Sequence, residues 1–249
     1  MKILVFADIH GNATALEAVL QKERDFDSVV FLGDAVSPGP EPKETIELLN
    51  SLNGVFIRGN HEYTALDPNS IAKWPDSYKA LMEWIYDELQ DADYQFLRTF
   101  SSPGEYELDG NTYVLAHGDE NDEVRHVLPD SPDRYFDAFR YGNKQSDVLF
   151  GHSHVQFSRS INDQRFINPG SIGQNRCGRV LACYGLLEDG EFAYQHVGYD
   201  PKPWLEAWDR VTTLDRYTEV RESFKRQTLS GFSLGATEPW LSYASRGYR

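Results

Sequence analysis

Five short apolar stretches of this chain each end directly in side chains that can bind a metal ion. They read "KILVFAD", "DSVVFLGD", "GVFIRGN", "TYVLAHGD" and "SDVLFGHSH". Apolar runs of this length, bounded by glycine and polar residues, predict buried β-strands. The first three alternate with "ATALEAVLQKE" and "EPKETIELLNSL", whose apolar spacing is typical of helices that cover a sheet. The pattern predicts an α/β core with helices outside a sheet.

The second half of the chain contains three pairs of alternating segments that predict β-hairpins. They are "GEYELDGNTYVLAHGD", "VQFSRSINDQRFINPGS", which turns at Asn162 and Asp163, and "VLACYGLLEDGEFAYQHVGY". We expect a second sheet there, packed on the first. Helices are predicted in "SYKALMEWIYDELQ", in "DADYQFLRTF" with Asp91 as N-cap, and in "SPDRYFDAFRYGN" with Gly142 near its end.

The chain is predicted to be one core, residues 1–198, with a helical and aromatic appendage, residues 199–249, packed on it. Trp204, Trp208 and Trp240 of the appendage are interpreted as packing residues, and the alternative is a lid over a substrate base. The length of 249 residues is enough for one large domain or two small ones.

The net charge of −15 disfavours duplex nucleic acid and anionic lipid as partners, because affinity for both comes from lysine and arginine. No apolar run is long enough to span a bilayer. Cys177 and Cys183 have no disulfide or zinc-knuckle spacing, so we expect free thiols in a reducing cytoplasm.

Metal-competent side chains follow all five predicted strands, and five of the seven histidines lie within these stretches or within two residues after them. In open α/β sheets ligands bind outside the carboxyl ends of the strands, so the segments can converge. Taken singly, each residue has an ordinary interpretation as a helix cap, a turn residue or a buried histidine. Taken together, they predict a metal centre built from side chains of these segments, whose metal-competent members are Asp8, His10, Asn12, Asp34, Asn60, His61, His117, His152 and His154.

The composition of this set fits two adjacent divalent cations. Imidazole and carboxylate suit manganese, iron and zinc, and the lack of cysteine argues against a structural zinc site. We expect Mn²⁺, with iron, nickel or zinc as alternatives.

The ordered motifs D-x-H, G-D, G-N-H, H-G and G-H-x-H, from Asp8 to His154, resemble the calcineurin-like metallophosphoesterases. The segment "NPGSIGQ" resembles the end of the core in the small prokaryotic phosphodiesterase branch, so the resemblance reaches about residue 198. It implies two mixed β-sheets packed as a sandwich flanked by helices. It also implies a first metal held by Asp8, His10, Asp34 and His154, and a second held by Asp34, Asn60, His117 and His152.

In this interpretation Asp34 bridges two cations that activate a shared water for in-line attack on phosphorus. His61 directly follows a ligand and is predicted to give a proton to the departing oxygen. Asn12 and Arg58 are candidates for contacts to phosphate oxygens. For Arg58 an exposed strand-end charge is an equal alternative.

One motif departs from the protein Ser/Thr phosphatase branch. That branch reads G-D-x-V-D-R-G, whereas residues 33–39 read "GDAVSPG". Ser37 and Pro38 replace an aspartate that orients the catalytic histidine and an arginine that grips phosphate. We therefore expect His61 to be held less strongly as imidazolium, and a phosphoprotein substrate is disfavoured.

The leading hypothesis is a dinuclear phosphoesterase that acts on small phosphodiesters or nucleotides. Hydrolysis of dinucleoside polyphosphates such as diadenosine tetraphosphate is an alternative within the same class. A non-catalytic scaffold on the same fold and a metal-binding regulatory protein are alternatives from other classes. The presence of His61 and a full ligand set favours catalysis over the scaffold. Neither the physiological substrate nor the oligomeric state follows from the sequence.

Overall fold

The computed structural model describes residues 1–67, 69–122, 124–139, 141, 146–232 and 238–249. Within them the strands are β1 (Lys2–Phe6), β2 (Ser28–Phe31), β3 (Gly54–Phe56), β4 (Gly104–Leu108), β5 (Asn111–Ala116), β6 (Asp147–Phe150), β7 (Gln156–Ile161), β8 (Gln164–Pro169), β9 (Leu181–Glu188) and β10 (Glu191–Gly198). The predicted hairpins are present as β4–β5, β7–β8 and β9–β10.

The strands form two five-stranded sheets. The first has the order β10-β9-β1-β2-β3, with parallel pairing from β1 to β3 and antiparallel pairing of β9 with its two neighbours. The second has the order β4-β5-β6-β8-β7 and is mixed as well. The predicted pair of mixed sheets is confirmed, but the third hairpin extends the first sheet rather than the second.

The inner faces of the two sheets meet in one apolar layer. Alternate residues of each strand supply it, because successive side chains of a strand point to opposite faces. Val5 and Val30 come from the first sheet, and Leu115 and Leu149 come from the second. All four are fully buried, and their contact holds the two sheets as a sandwich.

Helices cover both outer faces of the sandwich. They are α1 (Ala13–Lys22), α2 (Pro42–Asn50), α3 (Asn60–Leu66), α4 (Asp76–Glu88), α5 (Asp91–Arg98), α6 (Asp133–Phe136), α7 (Lys202–Ala207), α8 (Thr218–Ser230) and α9 (Trp240–Ser245). The N-cap of α5 is Gln90, one residue before the predicted Asp91. A 3-10 turn, Asp137–Phe139, follows α6 directly, and the predicted end at Gly142 lies outside the described residues.

The segment from Asp200 onward packs against the rest of the chain through its aromatic side chains. Trp204 and Trp208 join α4 in one buried cluster, and the indole nitrogen of Trp204 donates to the Gly11 carbonyl at 3.2 Å. Trp240 of α9 packs on the outer face of the second sheet. All three rings are buried, as expected for packing residues, which leaves none of them free as a lid.

Two further expectations concern the membrane and the cysteines. Among the described residues, the helices are too short or too polar to cross a bilayer. Cys177 and Cys183 are both buried and unpaired, as predicted.

Candidate metal centre

The seven predicted metal ligands lie in the loops that follow five strands. Asp8 and His10 follow β1, Asp34 follows β2, Asn60 follows β3, His117 follows β5, and His152 and His154 follow β6. Parallel pairing of β1 with β2, of β2 with β3, and of β5 with β6 puts these ends at the same edge of each sheet. The structure therefore brings together residues that are up to 146 positions apart in the chain.

Five of these residues have a left-handed backbone, which is uncommon outside glycine. Their φ angles are between 53° and 68°, at Asp8, His10, Asp34, His152 and His154. The other positive-φ residues of this kind in the described part of the chain lie in hairpin turns, at Asp109, Asn162, Asp163 and Asp189. Backbone strain of this kind concentrates at functional sites, where the surrounding structure holds it.

A first group of ligand atoms is formed by Asp8, His10 and His154, all buried. Nε2 of His10 lies 3.1 Å from Nε2 of His154, and Oδ1 of Asp8 is 3.8 Å and 3.5 Å from these two nitrogens. The backbone N–H of His152 donates to both carboxylate oxygens of Asp8, which holds that carboxylate in place.

A second group is formed by Asp34, His117 and His152, also buried. Nε2 of His117 lies 3.1 Å from Oδ2 of Asp34 and 3.2 Å from Nδ1 of His152. Oδ1 of Asn60 is 3.0 Å from Nε2 of His117. Oδ2 of Asp34 is also 3.8 Å from Nε2 of His10, so this carboxylate stands between the two groups.

Hydrogen bonds to backbone carbonyls decide which ring nitrogens can bind a metal. Nδ1 of His10 donates to the Ser37 carbonyl at 2.5 Å, and Nδ1 of His154 donates to the Gln174 carbonyl at 2.7 Å. In the neutral rings Nε2 is then an electron-pair donor, and the two Nε2 atoms face each other without a hydrogen between them. A cation between them removes this repulsion, and such carbonyl partners are typical of metal-binding histidines.

The ionisation of the metal-free site agrees with this arrangement. Burial, followed by the charge of His61, lowers the pKa of His10 to about 3, and burial with the nearby Arg176 lowers that of His154 far below its usual value. Burial also acts to lower the pKa of His117, but the charge and hydrogen bond of Asp34, with the charge of Asp8, together outweigh it and raise the pKa to about 10. The second group therefore favours a positive charge where His117 and Asp34 meet.

Asp8 and Asp34 differ in ionisation although both are buried. Burial raises the pKa of Asp8 to about 8. Burial also acts to raise the pKa of Asp34, but the charges of His117 and His61 hold it well below its usual range. Asp34 is therefore the ionised carboxylate of the metal-free centre.

His61 is held at the site by Ser37, one of the two residues at which this chain departs from the motif G-D-x-V-D-R-G. The Ser37 hydroxyl and Nδ1 of His61 share a hydrogen bond of 2.5 Å. The backbone N–H of His61 donates to Oδ1 of Asp34 at 2.9 Å, and Nε2 is 3.9 Å from Oδ2. Burial lowers the pKa of His61, in the direction expected without the aspartate. The ring is close enough to Asp34 and His10 to form a third potential metal group with them.

Glu62 has a structural role that the sequence analysis did not identify. Its buried carboxylate accepts backbone N–H groups from Asp34 at 2.8 Å, Ala35 at 2.6 Å and Gly59 at 2.8 Å. It thereby joins the loop after β2 to the start of α3. A side chain at Gly59 would collide with the Asp34 carboxylate, so the loops meet at glycine. The N3 position of a capping box could have indicated part of this role.

Asn12 and Arg58, the predicted phosphate contacts, are placed differently. Asn12 is fully buried and caps α1, with Oδ1 accepting from Ala15 and Nδ2 donating to the Gly173 carbonyl and the Tyr199 hydroxyl. The NH₂ group of Asn12 is therefore used within the fold, and its contact with phosphate stays a prediction.

Arg58 is half-buried and lines a cavity beside Asn60, His117 and His152. Its guanidinium donates to the carbonyls of Arg98 and Phe100 and stacks over the Tyr63 ring. The Arg58 guanidinium is thus a partly buried charge at the cavity, and it already has contacts within the fold.

His126 lies outside the five strand-end segments in the sequence, but its ring stacks on that of His152 with the ring centres 4.7 Å apart. Nδ1 of His126 donates to the His152 carbonyl at 3.0 Å. Nη1 of Arg176 approaches Nε2 of His126 at 3.4 Å, so both residues lie beside the metal groups. No strand-end pattern marks either residue, because they approach the site through loops.

Comparisons with known proteins give relatives over most of the chain. An uncharacterised protein of Methanocaldococcus jannaschii is 31% identical over 225 residues, which cover 82% of this chain and 90% of that protein. Serine/threonine-protein phosphatase 2 of Salmonella typhimurium is 31% identical over 193 residues, covering 68% of this chain and 88% of that one.

Among solved structures, a metallophosphoesterase of Sphaerobacter thermophilus is 25% identical with a TM-score of 0.68, over 93% of this chain and all of that one. A hypothetical protein of Pyrococcus horikoshii shares the fold with a TM-score of 0.73 at 23% identity, over 92% of this chain and 98% of that one. Residues 1–189 match the calcineurin-like phosphoesterase superfamily domain. The chain belongs to the calcineurin-like phosphoesterase superfamily.

Proposed function

We propose that this chain is a dinuclear metal-dependent phosphoesterase. The observation that carries the proposal is the pair of buried metal-competent groups joined by one carboxylate, since Oδ2 of Asp34 is 3.1 Å from His117 and 3.8 Å from His10. Asp8, His10, Asp34 and His154 would hold one ion, and Asp34, Asn60, His117 and His152 the other. The donor set of carboxylate, imidazole and amide oxygen suits Mn²⁺, with iron, nickel or zinc as alternatives.

Such ions, when bound, act as Lewis acids that activate water and neutralise phosphoryl oxygens. The chain itself orients the ligands through the carbonyl partners of its histidines and the backbone N–H of His152, which donates to Asp8. His61 supplies a proton on the same side as Asp34. Its hydrogen bond to Ser37 fixes the ring while Nε2 faces the cavity that His10 and Asp34 also line. In its imidazolium form the ring can pass the Nε2 proton to the departing oxygen of the ester and is itself left neutral.

Small phosphodiesters and nucleotides are the proposed substrates. The name of the Salmonella relative points to phosphoproteins, but Ser37 and Pro38 replace the aspartate and arginine expected in that branch. One structural neighbour is described as a putative diadenosine tetraphosphatase and, at 18% identity, shares the fold alone. Dinucleoside polyphosphates therefore remain an alternative within the same reaction class.

Hydrolysis of bis-p-nitrophenyl phosphate tests the proposal. Metal-free protein should be inactive, added Mn²⁺ should give turnover, and a chelator should abolish it. Parallel assays with Fe²⁺, Ni²⁺ and Zn²⁺ cover the alternative metals. A protein that binds these ions yet turns over neither this ester nor diadenosine tetraphosphate would support the scaffold hypothesis instead.

A further inference from the structure

A cavity of about 340 Å³ opens between the metal groups and the C-terminal segment. His10, Asp34 and His61 of the metal groups line it. The lining also includes Arg176, together with Phe224 and Gln227 of α8. The volume lies at the lower end of the range for small-molecule sites, roughly 300–1,000 Å³, and exceeds what one phosphoryl group needs.

Arg176 is the one permanently charged cation among the described residues that line this cavity. Its guanidinium carbon lies 4.5 Å from the centre of the Trp240 ring, and Nη1 approaches His126 at 3.4 Å. Its Nε is buried without a hydrogen-bond partner in the described part of the chain. Within the same residues no carboxylate lies within salt-bridge distance of Arg176, although Arg165 and Arg221 each pair with one. A cation withdrawn from water without an anionic partner is costly, and a ligand anion would offset that cost.

Arg176 lies beside the metal groups but makes no ion pair with their carboxylates. Within the described residues it is beyond salt-bridge distance of Asp8 and Asp34, and its Nη1 contacts Nε2 of His126, whose ring stacks on His152. The rings of Tyr78 and Phe224 line the same cavity with their centres 6.3 Å apart. The cavity thus offers an apolar wall and, apart from the metal groups, the guanidinium of Arg176. A guanidinium suits phosphate because it presents paired N–H donors.

We propose that Arg176 binds a second phosphate group of the substrate, so that the site prefers phosphate esters of nucleosides that carry another phosphate. The inference rests on the proposed function and specifies its substrate class. The C-terminal segment then contributes to specificity, because Trp240 supports the guanidinium and Phe224 and Gln227 close the cavity.

A matched pair of substrates tests this subsite. One is the p-nitrophenyl ester of thymidine 5′-monophosphate, and the other is the same ester with a second phosphate on the 3′ oxygen. With Mn²⁺ the parent protein should show a kcat/KM about tenfold or more higher for the second ester, as expected for a charge-assisted contact. Arg176→Gln should remove this preference by raising KM for the second ester, with the first ester changed less than about twofold.

Arg216→Gln is the matched control, because Arg216 is exposed, stacks on Tyr217 and lies outside the cavity. It should keep the preference. An equal loss on both esters in Arg176→Gln would place Arg176 at the reacting phosphoryl group or in the architecture, and would overturn the proposal. A parent protein without preference would overturn it even if Arg176→Gln does not fold.

Calorimetry separates this inference from the proposed function. Mn²⁺-loaded parent protein should bind thymidine 3′,5′-bisphosphate about tenfold or more tightly than thymidine 5′-monophosphate, and Arg176→Gln should bind both alike. If neither ester is hydrolysed but this binding preference holds, the proposed function fails and the subsite stands. If the first ester is hydrolysed and the binding preference is absent, the subsite fails and the function stands.

Discussion

At the scale of single residues, the centre depends on which ring nitrogen each histidine offers. Carbonyls of Ser37, Leu32 and Gln174 take the Nδ1 protons of three ligand histidines and leave Nε2 as the electron-pair donor. The sequence motifs predicted the identity of these histidines. They could not predict the tautomers, because each carbonyl partner is 20 or more positions away in the chain.

His61→Ala tests the proton-donor role. Metal content should be unchanged, and the rate should fall about 100-fold or more for a phenyl ester, since phenolate is a poor leaving group. The fall in rate should be smaller for the matching p-nitrophenyl ester, which differs only in its leaving group. Steady-state kinetics on both esters and metal analysis of the purified variant give the comparison.

The control for this variant is His196→Ala, on β10 and outside the metal groups. It should change neither rate nor metal content. Loss of bound metal in His61→Ala would instead make His61 a ligand, in the third group that it forms with His10 and Asp34.

At the scale of secondary-structure elements, the loops after the strands are tied together by polar contacts between elements. Glu62 at the start of α3 accepts amides from the loop after β2, and the Ser37 hydroxyl meets His61 across the same gap. Strand ends were predictable because the apolar pattern is local. The partners of Asn12 and His126, and the sheet that the hairpin β9–β10 joins, were not predictable, because contacts between distant parts of the chain determine them.

Glu62→Gln tests the tie between β2 and α3. One carboxylate oxygen becomes an NH₂ group that faces backbone donors, so we expect a loss of about 3 kcal/mol in the free energy of unfolding. Urea unfolding of the metal-free protein measures it, with Glu17→Gln on the exposed face of α1 as control. A loss no larger than that of the control would show that the Glu62 bonds do not hold the loops.

At the scale of the whole molecule, the sandwich buries a group of ionisable side chains. Bound metal ions would neutralise their charges. The family and the pair of mixed sheets were predictable from the order of the motifs. The boundary between a core and an appendage at residues 198 and 199 stays a prediction. The structure adds that the C-terminal segment lines the site cavity through Phe224 and Gln227, which no local pattern indicated.

The metal-free protein should lose stability as the pH falls from 7 to 5. Burial is the main cause that lowers the pKa of five histidines, His10, His61, His126, His152 and His154. A group whose pKa is lower in the folded state stabilises it above the unfolded value, near 6.5, and loses that contribution as the pH falls. Each histidine that stays neutral in the folded state lowers the free energy of unfolding by about 2 kcal/mol between pH 7 and pH 5.

Three groups act in the opposite direction. Burial raises the pKa of Asp8 to about 8 and of Glu62 to about 7, and contacts with Asp34 raise the pKa of His117 to about 10, so all three favour the folded state at lower pH. The five histidines outnumber them, and we expect a net fall of about 2 kcal/mol or more. Urea unfolding in chelator at pH 7 and pH 5 measures it. An unchanged or higher stability at pH 5 would show that these histidines do not stay neutral in the folded protein.

The central claim is that one carboxylate, Asp34, joins two metal ions in a single centre. Mn²⁺ titration followed by metal analysis of desalted protein tests it, with the parent, Asp34→Asn and Asp8→Asn compared. The parent should retain two ions per chain. Asp34→Asn should weaken the binding of both ions together, and Asp8→Asn should weaken mainly the binding of the ion that Asp8 shares with His10 and His154. Retention of one ion at parental affinity in Asp34→Asn, or a single ion in the parent, would contradict the account.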